Sequence, residues 1–259
     1  MALVELEILD EKVALITLNR PEAANAMSKA LLDDLNRVIH EINRNEIISC
    51  AIITGAGEKA FCAGADLKER RGMNDEEVVE AVRYIGKTVT NIESIEVPVI
   101  AAINGVAFGG GLELALACDI RIAADTASMG LTETSLAIIP GAGGTQRLPR
   151  LIGIGRAKQL IFTAKRITAA EALAWNLVEE VAPKNELLQV AIEMANVITQ
   201  NGPIALRQAK ISINQGMQFD LSYALQIEHT CYKKTIPTED RLEGLAAFQE
   251  KRTPVYRGK

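Results

Sequence analysis

The chain has 259 residues, 48% of them hydrophobic, with 28 Lys and Arg against 33 Asp and Glu and a formal net charge of −5. That is enough apolar material for one large core or a core with an appendage, and it excludes a disordered or disulfide-stapled chain. Acidic and basic residues are interspersed, so neither nucleic acid nor an anionic membrane is expected as a general partner. Val4 to Leu9 and Val13 to Leu18 read as short strands around the turn Asp10-Glu11-Lys12. Ser28 is placed to cap a helix over 28–45, where Leu31, Leu32, Leu35, Val38, Ile39 and Ile42 recur at helical period. A strand covers Ile48 to Thr54, and Asn74-Asp75-Glu76-Glu77 has capping-box spacing ahead of an amphipathic helix running to about Glu93. The apolar run 97–103 reads as a strand ending in the turn pair Asn104-Gly105, followed by a helix carrying Glu113 and a strand from Ile120 to Ala124. Strands alternate with helices, so the class is α/β. From Thr168-Ala169-Ala170-Glu171, again with capping-box spacing, the pattern turns helical apart from a short apolar piece at Leu177 to Val181. Helices fit 186–200, 203–215, 219–234 and 238–251. The chain therefore divides into an α/β core, 1–194, and a helical region, 195–259, joined without a flexible linker, which predicts a packed extension.

The cysteines at 50, 62, 118 and 231 form no CxxC pair, and His40 and His229 have no ligand-like spacing, so no metal site is expected. Glu5, Glu7, Asp10 and Glu11 break any signal or transit pattern at the N-terminus. The most apolar stretch, 97–118, is interrupted by Asn104, Glu113 and glycines and fails as a membrane span. A soluble, cytoplasmic protein is expected, without membrane or nucleic-acid partners.

Three glycine-rich segments stand out. In Gly109-Gly110-Gly111-Leu112-Glu113, glycines let a ligand approach the backbone, and a helix first turn offers N–H groups without intrahelical partners, favourable for an oxyanion. Glu113 is either a carboxylate with a task in a leucine-rich helix or a first-turn residue facing solvent. Phe61-Cys62-Ala63-Gly64-Ala65-Asp66-Leu67-Lys68 follows the strand and also offers small residues where backbone can meet a ligand. Residues 129–149 place Glu133 before an apolar stretch and a second glycine-rich turn, Gly141-Ala142-Gly143-Gly144. Gly55-Ala56-Gly57-Glu58-Lys59-Ala60 fits a G-x-G-x-x-A dinucleotide fingerprint, but Gly64 interrupts the helix such a fingerprint needs.

Taken in order, Ala63-Gly64-Ala65-Asp66, the Ile100 to Ala123 block and Ile139-Pro140-Gly141-Ala142-Gly143-Gly144-Thr145 resemble the enoyl-CoA hydratase/isomerase (crotonase) family over almost the whole chain. Within it, Phe61 to Arg70 and Thr235-Ile236-Pro237-Thr238 are most similar to the 3-methylglutaconyl-CoA hydratase branch. The resemblance implies a crotonase-like spiral of ββα units with a C-terminal helical region, assembled as trimers or paired into hexamers. It implies reversible hydration of a 2-trans-enoyl-CoA with no cofactor, coenzyme A being part of the substrate. The thioester carbonyl would sit between the N–H groups of Ala65 and Gly110, with Ala63, Asp66, Leu67 and Lys68 in the thioester-binding segment. Glu113 would chiefly activate the water and Glu133 chiefly deliver the proton. Lys68 is equally read as a phosphate contact or a solvated lysine, and Arg147 as an arginine tying a loop to a carboxylate. A 3-methylglutaconyl-CoA hydratase and a Δ3-Δ2-enoyl-CoA isomerase needing one base remain the competing activities. RNA binding, linked in an animal relative to a lysine-rich first helix, is disfavoured because Asp33, Asp34 and Glu41 balance Lys29, Arg37 and Arg44 here.

Overall fold

A computed structural model describes residues 2–259. Two sheets organise the molecule, and each turn of chain feeds both. The larger sheet has the order β1 (Val4–Leu9), β2 (Val13–Leu18), β3 (Cys50–Gly55), β5 (Val99–Ile103), β7 (Ile120–Ala124), β10 (Glu180–Ala182). Only β1 and β2 pair antiparallel in it; the remaining neighbours run parallel. The smaller sheet has the order β4 (Ala60–Cys62), β6 (Val106–Phe108), β8 (Ser128–Gly130), β9 (Ile167–Thr168). The pairs β3/β4, β5/β6 and β7/β8 each place one strand in the large sheet and the next in the small one, which is the expected spiral.

The elements form for legible reasons. β3 and β5 are buried along their whole length, as parallel strands covered on both faces must be, and their continuous apolar runs supply that burial. In α1 (Lys29–Arg44) the Ser28 hydroxyl accepts from Leu31 N–H, and the six periodic apolar residues are all buried. α2 (Leu67–Arg70) is a single turn capped by Asp66. α3 (Asp75–Glu93) starts with the predicted Asn74 and Glu77 capping box. α4 (Gly110–Leu116) is buried at every position, Glu113 included.

Several elements were not visible in the sequence pattern. β4, β6, β8 and β9 are two or three residues long, too short to show a period. β6 stands between the strand ending at Ile103 and the glycines, so those glycines join the small sheet to α4. α5 (Gly144–Ile152) and α6 (Ile154–Thr163) occupy a stretch where glycines and Pro149 obscured helical spacing. β5 begins at Val99 and not at Val97, because Pro98 has no N–H for a ladder. The Gly55 to Ala60 segment leads into β4 and opens no helix, so the dinucleotide reading falls.

α7 (Ala169–Ala174) follows with its predicted capping box. The division at 194/195 cuts through α8 (Leu187–Thr199), whose Leu187, Ala191 and Ala195 are buried against the large sheet; the core therefore runs to Thr199. Beyond it α9 (Pro203–Gly216), α10 (Leu221–Thr235) and α11 (Glu239–Glu250) form the helical extension. It is anchored by Lys210, whose ammonium donates to Val97 O at 3.0 Å and pairs with Asp119 at 2.7 Å. Among the described residues, no helix is long and apolar enough to cross a membrane.

Candidate active site

The start of α4 is possible only because of its glycines. Gly109 has φ +52° and ψ −125°, a conformation barred to side chains, and a Cβ there would lie 3.0 Å from a Glu133 oxygen. At Gly111 a Cβ would collide with the Cys62 carbonyl, so glycine lets α4 lie directly on β4. Gly64, at φ +99°, is the second glycine of the site in a conformation that side chains disfavour.

Each of these positive-φ glycines immediately precedes a candidate donor. Around Ala65, Gly64 C=O accepts from Met27 N–H at 2.8 Å and Asp66 N–H donates to Met27 O at 3.2 Å. A parallel bridge that engages both neighbours leaves the N–H of Ala65 on the opposite side, and it donates to no acceptor among the described residues. Gly110 opens α4, where no intrahelical acceptor exists for its N–H. A Cβ on Gly110 would stand 3.7 Å from Ala65 N, so the two amides are neighbours.

Two carboxylates share this place with different surroundings. Glu113 is 3% exposed, and its Oε1 accepts from Ala142 N–H and Gly144 N–H, both at 2.7 Å. Burial pushes its carboxyl above the ordinary range; the two N–H groups and the charges of Arg147 and Arg70 oppose that push. Glu133, in a 3-10 turn over Glu133–Leu136, has an Oε2 that is buried with no hydrogen-bond partner among the described residues. Its carboxyl is pushed up to about 7, first by burial and further by the charge of Glu113, with its own backbone N–H and Arg70 acting the other way. The Glu113 loop is itself held: Arg147 donates to Ala142 O at 3.0 Å and pairs with Glu93 at 2.6 Å, the tethering role expected of it.

Ala63, Ala65, Leu67, Gly110, Glu113 and Glu133 all line one cavity of about 670 Å³. Asp66 and Lys68 do not. The Asp66 carboxylate caps α2 through Lys68 N–H (2.9 Å) and Glu69 N–H (3.2 Å) and pairs with Arg20 at 2.5 Å, so its task is to hold the turn that presents Ala65. Lys68 is exposed and lies outside the lining, which favours the solvated reading. The sequence reading missed Arg70, which reaches the cavity from the end of α2, and the amides of Ala142 and Gly144. Asp66 as an N-cap with Arg70 four residues on was the available signal for the first. No group of three or more metal-ligating side chains occurs among the described residues.

Residues 9–259 match the model of the enoyl-CoA hydratase/isomerase family. The Bacillus subtilis protein YngF is 58% identical over 251 residues, 97% of this chain and 96% of that one. The human mitochondrial methylglutaconyl-CoA hydratase is 48% identical over 257 residues, 98% of this chain and 76% of that one. A crystal structure of an enoyl-CoA hydratase from Bacillus anthracis superimposes with a TM-score of 0.98 at 57% identity, covering 99% of this chain and all (100%) of that one.

Proposed function

This chain belongs to the enoyl-CoA hydratase/isomerase family, and from that premise we propose that it hydrates 2-trans-enoyl-CoA thioesters reversibly to 3-hydroxyacyl-CoA. One observation carries the reading: two carboxylates with unlike environments and two unengaged backbone N–H groups line the same cavity. Glu113, its Oε1 already holding two N–H donors, takes a proton from water through the remaining oxygen as the water oxygen bonds to C3. The electrons of the double bond move toward the thioester, and the oxygen charge that develops is met by Ala65 and Gly110 N–H. One such donor is worth roughly 3 to 4 kcal/mol in acyl-transfer enzymes. Glu133, which holds its proton up to about pH 7, gives it to C2. Proton exchange between the carboxylates and solvent restores the starting state.

The scheme requires no cofactor, coenzyme A arriving as part of the substrate, and turnover is expected to survive EDTA. The test is loss of the conjugated-enoyl absorbance of crotonyl-CoA with purified protein. Saturable hydration is expected. Conversion of a 3-enoyl to a 2-enoyl thioester with no hydration would assign the isomerase activity instead. We further propose that the protein works as a homo-oligomer, on the support of the apolar side chains that α9, α10 and α11 leave exposed, among them Ile213, Leu221, Leu225, Leu245 and Phe248.

A further inference from the structure

The two glutamates are held in different ways. Glu113 is gripped at its carboxylate by the N–H groups of Ala142 and Gly144, whereas no other described residue donates a hydrogen bond to Glu133, whose Oε2 is buried without a partner. The direction in which Glu133 points is therefore set by the turn that carries it. That turn lies in a loosely attached stretch: residues 135–139 are exposed, and the backbone hydrogen bonds of 132–141 close within the stretch, from Ser135 N–H to Thr132 O, Ala137 N–H to Thr134 O and Ile138 N–H to Glu133 O. Among the described residues, a single hydrogen bond leaves it. The Thr134 hydroxyl donates to Ile161 O at 2.5 Å, across 27 residues of chain. Ile161 lies in the last turn of α6, where Ala157, Leu160 and Ile161 itself are buried in the core, and its carbonyl also accepts from Ala164 N–H at 3.3 Å.

A 3-10 turn has three residues per revolution, so neighbouring side chains leave it about 120° apart. With Thr134 fastened toward α6, Glu133 is turned away from that helix and into the cavity it lines. A core helix thus fixes the rotation of an otherwise exposed turn through one hydroxyl. We propose that Thr134 is a positioning residue for proton transfer at C2, its bond to Ile161 O holding the Glu133 turn at the angle that aims the carboxyl at the substrate. Thr134 itself lies outside the cavity lining and touches no reacting atom. This rests on the hydratase reading for the task of Glu133 and adds the residue that keeps it in place.

Two reactions of the intact protein test it, hydration of crotonyl-CoA and exchange of the C2 hydrogen of butyryl-CoA in D2O, followed by proton NMR. Butyryl-CoA cannot be hydrated, but the group that gives a proton to C2 also takes one: the C–H bond breaks, the proton passes to the Glu133 carboxylate, the electron pair moves toward the thioester oxygen, and a deuteron from the exchanged carboxyl returns to C2. Thr134→Val keeps the shape and removes the hydroxyl. Both rates should fall by roughly 10- to 100-fold with KM changed less than about twofold, as for a misplaced reacting group. Thr134→Ser, which can still donate, should recover most of the loss, and Thr134→Ala carries the same expectation as the valine should that variant not fold. In a Glu133→Gln background Thr134→Val should lower hydration by less than about twofold further, because its effect passes through the group already removed. A change confined to the melting curve overturns the proposal, as does a serine variant no better than valine or a full additional loss in Glu133→Gln. C2 exchange by a wild type that hydrates no enoyl thioester would sink the hydratase reading and leave Thr134 to be judged by exchange alone; absence of both reactions would remove Glu133 from proton transfer and the role of Thr134 with it.

Discussion

Glu113 and Glu133 carry the same chemical group, and their surroundings divide the work between them. Two N–H donors on Glu113 favour its charged form, whereas the unpartnered oxygen of Glu133 favours the proton. Glu113→Gln and Glu133→Gln keep volume and remove proton transfer, so each should lower kcat by roughly 10²- to 10⁴-fold with a smaller change in KM. The double variant should lose less than the product, because the pair serves one water and one substrate. Near-wild-type hydration by either single variant would end that residue's assignment. The raised carboxyl of Glu133 has a second consequence. It holds its proton below about pH 7 and loses it above, so kcat/KM for hydration should fall as pH rises through that value. The same shift means that the folded protein binds this proton more tightly than the unfolded chain. Its stabilising contribution is complete below the ordinary value of 4.5 and is lost as pH rises toward 7. A flat rate profile between about pH 6 and 8 would remove the acid role from Glu133.

At the scale of elements, the site depends on how closely α4 lies on β4 and on what holds the 140–144 loop. Gly111→Ala would push a methyl into the backbone carbonyl of Cys62, which cannot yield as the end of a flexible side chain could. Overpacking of this kind costs about 1 to 3 kcal/mol, so the variant should melt several degrees lower, and an unaltered melting curve would show that α4 can shift. Arg147→Ala removes the pair with Glu93 and the bond to Ala142 O, the residue whose N–H steadies Glu113. Because small misplacements of a reacting group can cost up to roughly 100-fold, kcat should drop by as much while KM changes little. A loss confined to thermal stability would make Arg147 purely structural.

Across the whole molecule, α8 belongs to the core and the three last helices form an extension with few buried side chains of its own. Phe248 is 85% exposed and Leu221 74%. Sedimentation at micromolar concentration should give a species larger than a monomer, and Leu225→Asp or Phe248→Asp should shift it toward smaller species by placing a charge in an apolar contact. A monomeric wild type would contradict the oligomer proposal.

The long elements could be read from the chain alone because their signals are local. Ser28, Asn74 and Thr168 cap helices through hydrogen bonds that span three residues, and the large-sheet strands are continuous apolar runs bounded by turns. Local chemistry drew attention to the glycine-rich segments and to Glu113, whereas the roles of Ala65, Gly110 and Glu133 were implied by the resemblance to the family's motifs. The small sheet was hidden, since strands of two or three residues exist only through pairing with segments distant in sequence. Asp66 looked like a ligand contact until folding brought Arg20, 46 residues away, onto its carboxylate. Arg70 carried no signal of its own in the chain, and only tertiary packing placed it in the lining of the cavity that holds both glutamates. Capping and periodicity are decided within a few residues of chain, whereas burial, pKa and the partner of a charge depend on which remote segments arrive beside it.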